Sequence, residues 1–106
     1  MARETSQATQ NQAAVILLEI KLGLPACTSL KEKRGRLKPL LARVRREFNV
    51  GTAETGLLDM WQSAWITCAI VSNNAQHNTQ IANEILRMID THFPNEVIDE
   101  YHLNYR

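Results

Sequence analysis

The chain has little of what most catalytic or metal-binding proteins need. Its two cysteines, Cys27 and Cys68, have no metal-ligand spacing, and Cys68 lies inside an apolar run where a thiol behaves as a small hydrophobe. Both are read as reduced. His77, His92 and His102 form neither an HxxxH nor an HExxH pair, so no metal site is predicted. The four glycines do not gather into a phosphate-cradling loop. Cys27 stands just before a helix start and close to Lys31 and Lys33, where a thiolate would be stabilised, but no general-base motif accompanies it. It is read as a passive loop cysteine. No catalytic residue, cofactor or small-molecule substrate is therefore predicted. The start of the chain lacks the basic, apolar and small-residue order of a secretory signal, and no apolar stretch approaches the roughly 18 residues of a membrane span. A cytoplasmic protein that avoids membranes is expected.

What is present fits one domain, since 106 residues with 44% apolar side chains suffice for one core. Residues 1–13, MARETSQATQNQA, are polar and without aromatics, and cannot bury enough surface to offset their ordering entropy. They read as a floppy tail ahead of a single domain over 14–106. AVILLEIKLGL, residues 14–24, alternates Ile16, Leu18, Ile20 and Leu22 against a face that turns polar, which predicts a strand closed by Pro25. Ser29 with Glu32 makes a capping box that opens a helix. A 100° wheel sets Leu30, Leu37, Leu41, Val44 and Phe48 in one arc with Leu40 beside it. Pro39 falls opposite that arc, and a kink is expected there because a mid-helix proline crowds the carbonyl of Gly35.

NVGTAETG, 49–56, reads as a short edge strand, and AWITCAIVS, 64–72, as a central strand apolar on both faces. A second helix follows, capped by Ser72, Asn73 or Asn74, with Ile81, Ala82, Ile85, Leu86, Ile89 and Phe93 on one face and Pro94 as its stop. EVIDEYHLNYR then alternates Val97, Tyr101, Leu103 and Tyr105, broken at Asp99, as a second edge strand. This order predicts an α+β fold, a ferredoxin-like βαββαβ sandwich. Its four-stranded antiparallel sheet has the first and third strands central and two helices on one face.

Four motifs in register, PxxxSLKEKR from Pro25, FNV at 48–50, DxWQxA from Asp59 and VSN at 71–73, resemble the YlxP-like family of small bacterial proteins of unknown function. The resemblance spans about residues 15–105. It implies the same fold, a cytosolic location and a gene neighbourhood rich in translation and ribosome-maturation factors, and it implies no catalytic residues. The chain departs from the pattern at Cys27-Thr28 and at Gly35 and Pro39.

Charge is segregated. Residues 30–49 hold eight bases and two acids, and residues 50–106 hold two bases and seven acids, so a net charge of +1 conceals a dipole. Such separation draws a polyanion to one side of a protein. Lys31, Lys38 and Arg45 recur every seven residues beside the apolar arc with Arg34 just inside, a rail about 21 Å long on a straight helix. These four are the candidate phosphate contacts, and structured RNA or a ribosomal subunit is the expected partner. Arg36 and Arg43, mixed with Glu32 and Glu47, read as solvated ion-pair surface. Arg34 is expected to be half-buried, with Glu19, Glu54 or Asp59, or else exposed backbone carbonyls, as acceptor. Trp61 and Trp65 read as core or interface fillers, since the first strand offers no aromatic with which Trp65 could read bases. The alternative function is a protein-interaction or homodimeric structural module, which would use Val15, Leu17, Trp65 and Val71 on the outer sheet face.

Overall fold

A computed structural model describes residues 2–5 and 11–106. The expected tail falls partly on residues 1 and 6–10, which lie outside the described residues, while 2–5 and 11–13 carry no helix or strand. Thereafter the chain runs β1 (Ala14–Gly23), α1 (Leu30–Phe48), β2 (Gly51–Gly56), β3 (Ser63–Ser72), α2 (Ala75–His92) and β4 (Val97–Tyr105). The strands form one antiparallel sheet in the order β2-β3-β1-β4. The two most apolar strands are central, as the alternation predicts.

Period-two patterning decides which face carries the helices. Leu18, Ile20 and Leu22 of β1 and Ala64, Ile66, Cys68 and Ile70 of β3 are buried under Leu37, Leu40 and Val44 of α1 and Ala82, Ile85, Met88 and Ile89 of α2. Each fully buried aliphatic side chain contributes about 1.5–3 kcal/mol relative to exposure. Ser29 caps α1 by accepting the Glu32 amide at 3.0 Å, and Asn74 caps α2 by accepting the His77 amide at 3.0 Å. The Glu32 carboxylate takes the Thr28 hydroxyl at 3.4 Å. Helix α1 runs unbroken through Pro39, which is exposed.

The break in alternation at Asp99 is a bulge. Lys21 pairs with Glu100 but Leu22 pairs with Ile98, so Asp99 is the extra residue and β4 regains its inward Ile98 beyond it. Gly23 makes room for this, since a Cβ there would stand 3.0 Å from Asp99 Oδ2.

The burial of Lys33, 1% exposed, was not foreseen. Residues 33, 37, 40 and 44 lie along one line under α1 and are its buried set. Leu30, Leu41 and Phe48, which set the direction of the arc read from the sequence, are only half-buried. The true centre of the buried stripe is therefore rotated about 40° toward Lys33. Arg34, expected to be half-buried with an acceptor, is instead exposed, about 90° from that centre. Lys33 takes the acceptor foreseen for Arg34: its Nζ lies 2.8 Å from Glu54 Oε2 and donates to the Leu57 carbonyl at 2.8 Å. The carboxylate oxygen is buried and takes no aligned hydrogen bond among the described residues, so charge holds this side of the contact.

A buried ammonium without its counter-charge is costly. Glu54→Ala is expected to lower unfolding free energy by about 3 kcal/mol in urea titrations, and the double variant Lys33→Met/Glu54→Leu to recover most of that loss.

Candidate nucleic-acid interface

The eight bases between residues 30 and 49 divide by what they touch. Lys33 is committed to Glu54. Arg43 pairs with Glu47 one turn on, at 3.1 Å, in the surface arrangement the sequence predicts. Arg36 does far more than a solvated residue would. Its Nε donates to Glu96 Oε1 at 2.8 Å, Nη1 to the Pro25 carbonyl at 2.9 Å and Nη2 to the Asn95 carbonyl at 2.7 Å. Glu96 is only 6% exposed. The direct bond to that carboxylate holds the guanidinium above its ordinary pKa, against the opposing effect of burial. Arg36 thus bolts α1 to the loop before it and to the α2–β4 connection. The reading of Arg36 as mere ion-pair surface is corrected, because its fork meets two carbonyls brought from distant segments. The hollow of about 470 Å³ around Pro25, Arg36, Pro94, Asn95 and Glu96 is accordingly lined by a cation already bonded internally.

Arg46 is exposed and lies about 100° round the helix from Arg45, so that Lys31, Arg34, Lys38 and Arg45 remain. All four are exposed, and no carboxylate among the described residues pairs with any of them. Arg45 leans over β2, its Nε donating to Thr52 Oγ1 at 2.8 Å. Arg34, Lys38 and Arg45 line one groove of about 320 Å³ with Leu37, Leu41, Ala42 and Glu54. The Glu54 carboxylate at its β2 side is met from below by Lys33, so the groove presents three outward cations over a locally neutralised pair. Lys31 extends the line beyond the groove toward the start of α1. Arrays of this kind bind phosphates through charge and donors without turning them over.

The outer sheet face is split. Val15 pairs with Val71, and Leu17 with Ala69, at one end of the β1–β3 ladder. Trp65 pairs with Lys21 at the other end, beyond the Glu19·Thr67 row, so the four proposed interface residues form an aliphatic group of three and a separate tryptophan. Val71 is 64% exposed, and the other three are partly exposed. Trp61 lies outside the core, half-exposed in the β2–β3 loop with Leu58 and Met60.

Both cysteines are buried. Cys27 donates its thiol to the Ser29 carbonyl at 3.4 Å, and burial pushes the Cys68 thiol up to about 12, so it stays protonated at neutral pH. The three histidines are exposed. Among the described residues no group of three or more His, Cys, Asp or Glu is placed to hold a metal, and no helix is long and apolar enough to cross a membrane. Asn78 was also missed: it is fully buried in α2, donates to the Ala14 carbonyl at 3.0 Å and accepts the Ser72 hydroxyl at 2.6 Å.

A four-stranded antiparallel sheet covered on one side by two helices in βαββαβ order, with an unpaired basic line on its first helix, defines the class: a small α+β sandwich. The chain belongs to the family described as "protein of unknown function (DUF503)", which matches residues 15–101. It is 41% identical over 66 residues to the uncharacterized protein YlxP of Bacillus subtilis (strain 168), a stretch covering 62% of this chain and 71% of that protein.

The structural role of Arg36 separates cleanly from the exposed line. Arg36→Lys keeps the charge but cannot reach three acceptors, and is expected to cost about 2 kcal/mol in urea unfolding, whereas Lys38→Gln changes stability by less than about 0.5 kcal/mol.

Proposed function

We propose that this protein is a non-enzymatic module of the bacterial cytoplasm that binds the phosphate backbone of structured RNA, in or near the ribosome, through α1. The observation that carries this reading is the sorting of cations on one helix. Lys33, Arg36 and Arg43 face carboxylates, while Lys31, Arg34, Lys38 and Arg45 are exposed along one line without one, and Arg46 is exposed without one away from that line. Four of the five unpaired bases of α1 thus gather along one side, an arrangement that solubility alone does not require. The translation setting is supported by the gene neighbourhood that the family resemblance implies. A second reading, homodimerisation through the outer sheet face, draws on the exposed Val71 and its cross-strand partner Val15.

Phosphate contacts release counterions, so each contact steepens the fall of affinity with salt. Replacing Lys31, Lys38 and Arg45 with Gln is expected to flatten log affinity against log salt by roughly 0.7–0.9 per residue, measured by fluorescence anisotropy on a ribosomal RNA fragment. Arg43→Gln, whose cation already pairs with Glu47, leaves the slope unchanged. Because phosphate contacts position rather than specify, the triple variant weakens binding to unrelated RNAs alike. Equal slopes for the wild type and the triple variant sink the proposal. So does absence of RNA binding at low salt, and a doubled mass by light scattering would then favour the dimer.

A further inference from the structure

The outer sheet face carries a second hollow, of about 280 Å³, lined by Glu19, Thr55, Gly56, Trp65 and Thr67. It combines one aromatic surface, one carboxylate and two hydroxyls. Gly56 opposes the indole, where even a Cβ would come within 3.2 Å of Trp65 Cβ and Cδ1, so no side chain of β2 covers that part of the ring. Thr55 Oγ1 and Thr67 Oγ1 bond each other at 2.8 Å across the β2–β3 register shift. Glu19 pairs with Thr67 in the ladder, diagonal to Trp65, and no cation among the described residues forms an ion pair with it. The hollow falls below the roughly 300–1,000 Å³ usual for a drug-sized ligand, which suits a single planar ring system.

Its position ties it to the basic groove. Glu54 and Thr55 are consecutive residues of the edge strand β2, yet Glu54 lines the α1 groove on the helix side and Thr55 lines the hollow on the outer side. Only the width of one edge strand separates cations from aromatic. A chain whose backbone lies along Arg34, Lys38 and Arg45 can cross that edge and set a base against Trp65.

We propose that the hollow takes one unpaired guanine of an RNA, stacked on Trp65 and held at its Watson–Crick edge by Glu19. The choice of base follows from the carboxylate. Ionised Glu only accepts hydrogen bonds, and guanine presents two adjacent donors, N1–H and the 2-amino group, to its two oxygens. Adenine pairs its amino donor with a ring-nitrogen acceptor, and uracil flanks its one donor with carbonyls that the carboxylate repels. Unpaired bases are read in this way, by stacking on an aromatic and by hydrogen bonds to their edges. The proposal rests on the RNA reading of α1 and adds base selection to it.

The test uses the full chain and three single-stranded octamers, one all uridine and two with a single central guanosine or adenosine, titrated by fluorescence anisotropy. The guanosine octamer is expected to bind wild type about tenfold tighter than the uridine octamer. Trp65→Leu, which keeps apolar bulk without a stacking ring, abolishes that advantage. Glu19→Gln reduces the preference for guanosine over adenosine, and both variants keep the uridine affinity and its salt slope. In a Trp61→Phe chain, saturation with the guanosine octamer quenches the emission of Trp65. Equal binding of all three octamers with a steep salt slope overturns the guanine site and leaves the phosphate rail standing, as does a guanosine preference that survives Trp65→Leu. Unquenched Trp65 emission at saturation also overturns the site. No binding of any octamer, nor of the structured ribosomal fragment, removes both proposals together.

Discussion

The arrangement of this protein depends on a lysine where an aliphatic residue would be expected. Lys33 occupies the inner line of α1 with Leu37, Leu40 and Val44, and its ammonium can be buried only because Glu54 and the Leu57 carbonyl meet it there. Those two partners belong to β2 and to the residue after it, so one interaction sets the rotation of α1 against the edge of the sheet. Leu57 itself has a positive φ of 57°, a conformation that costs a non-glycine residue energy and persists where its surroundings over-determine it. The directed bond from Lys33 to its carbonyl is one such constraint.

That rotation decides which cations remain outside. With Lys33 turned inward and Arg36 locked to Glu96, Pro25 and Asn95, the side of α1 facing the β2 edge presents Arg34, Lys38 and Arg45, and Lys31 continues the line. The acidic surplus of residues 50–106 is partly used internally, through Glu54 and Glu96, and partly carried on exposed positions such as Glu84 and Asp90 of α2. The two helices therefore differ in charge while sharing one core: α1 holds eight bases against two acids, and α2 one base, Arg87, against Glu84 and Asp90. On the proposed reading a polyanion would meet α1 rather than α2.

Much of this was legible in the sequence. Strict alternation in β1 and β3, the Ser29 cap, the Pro25 and Pro94 stops and the weaker edge strands determine the topology through local rules that tertiary packing had no reason to override. The angular position of α1 was less legible, because half-buried Leu30, Leu41 and Phe48 weigh as much on a wheel as buried Leu37 and Val44. The line 33, 37, 40, 44 was readable, had a lysine been allowed at its centre. Arg36 left no such signal: its acceptors are two backbone carbonyls and a carboxylate about sixty residues distant, which only the fold brings together. The hollow at Trp65 was equally hidden, since it depends on the register shift that sets Gly56 opposite the indole.

The most direct test of the central claim, that RNA lies on the β2 side of α1, is an NMR titration of isotopically labelled protein with a small RNA hairpin. The account predicts the largest shift changes at Lys31, Arg34, Lys38 and Arg45 and at Thr52 and Glu54, with Glu84, Arg87 and Asp90 of α2 unmoved. Changes centred on Val15, Leu17 and Val71, or spread evenly over both helices, would contradict it.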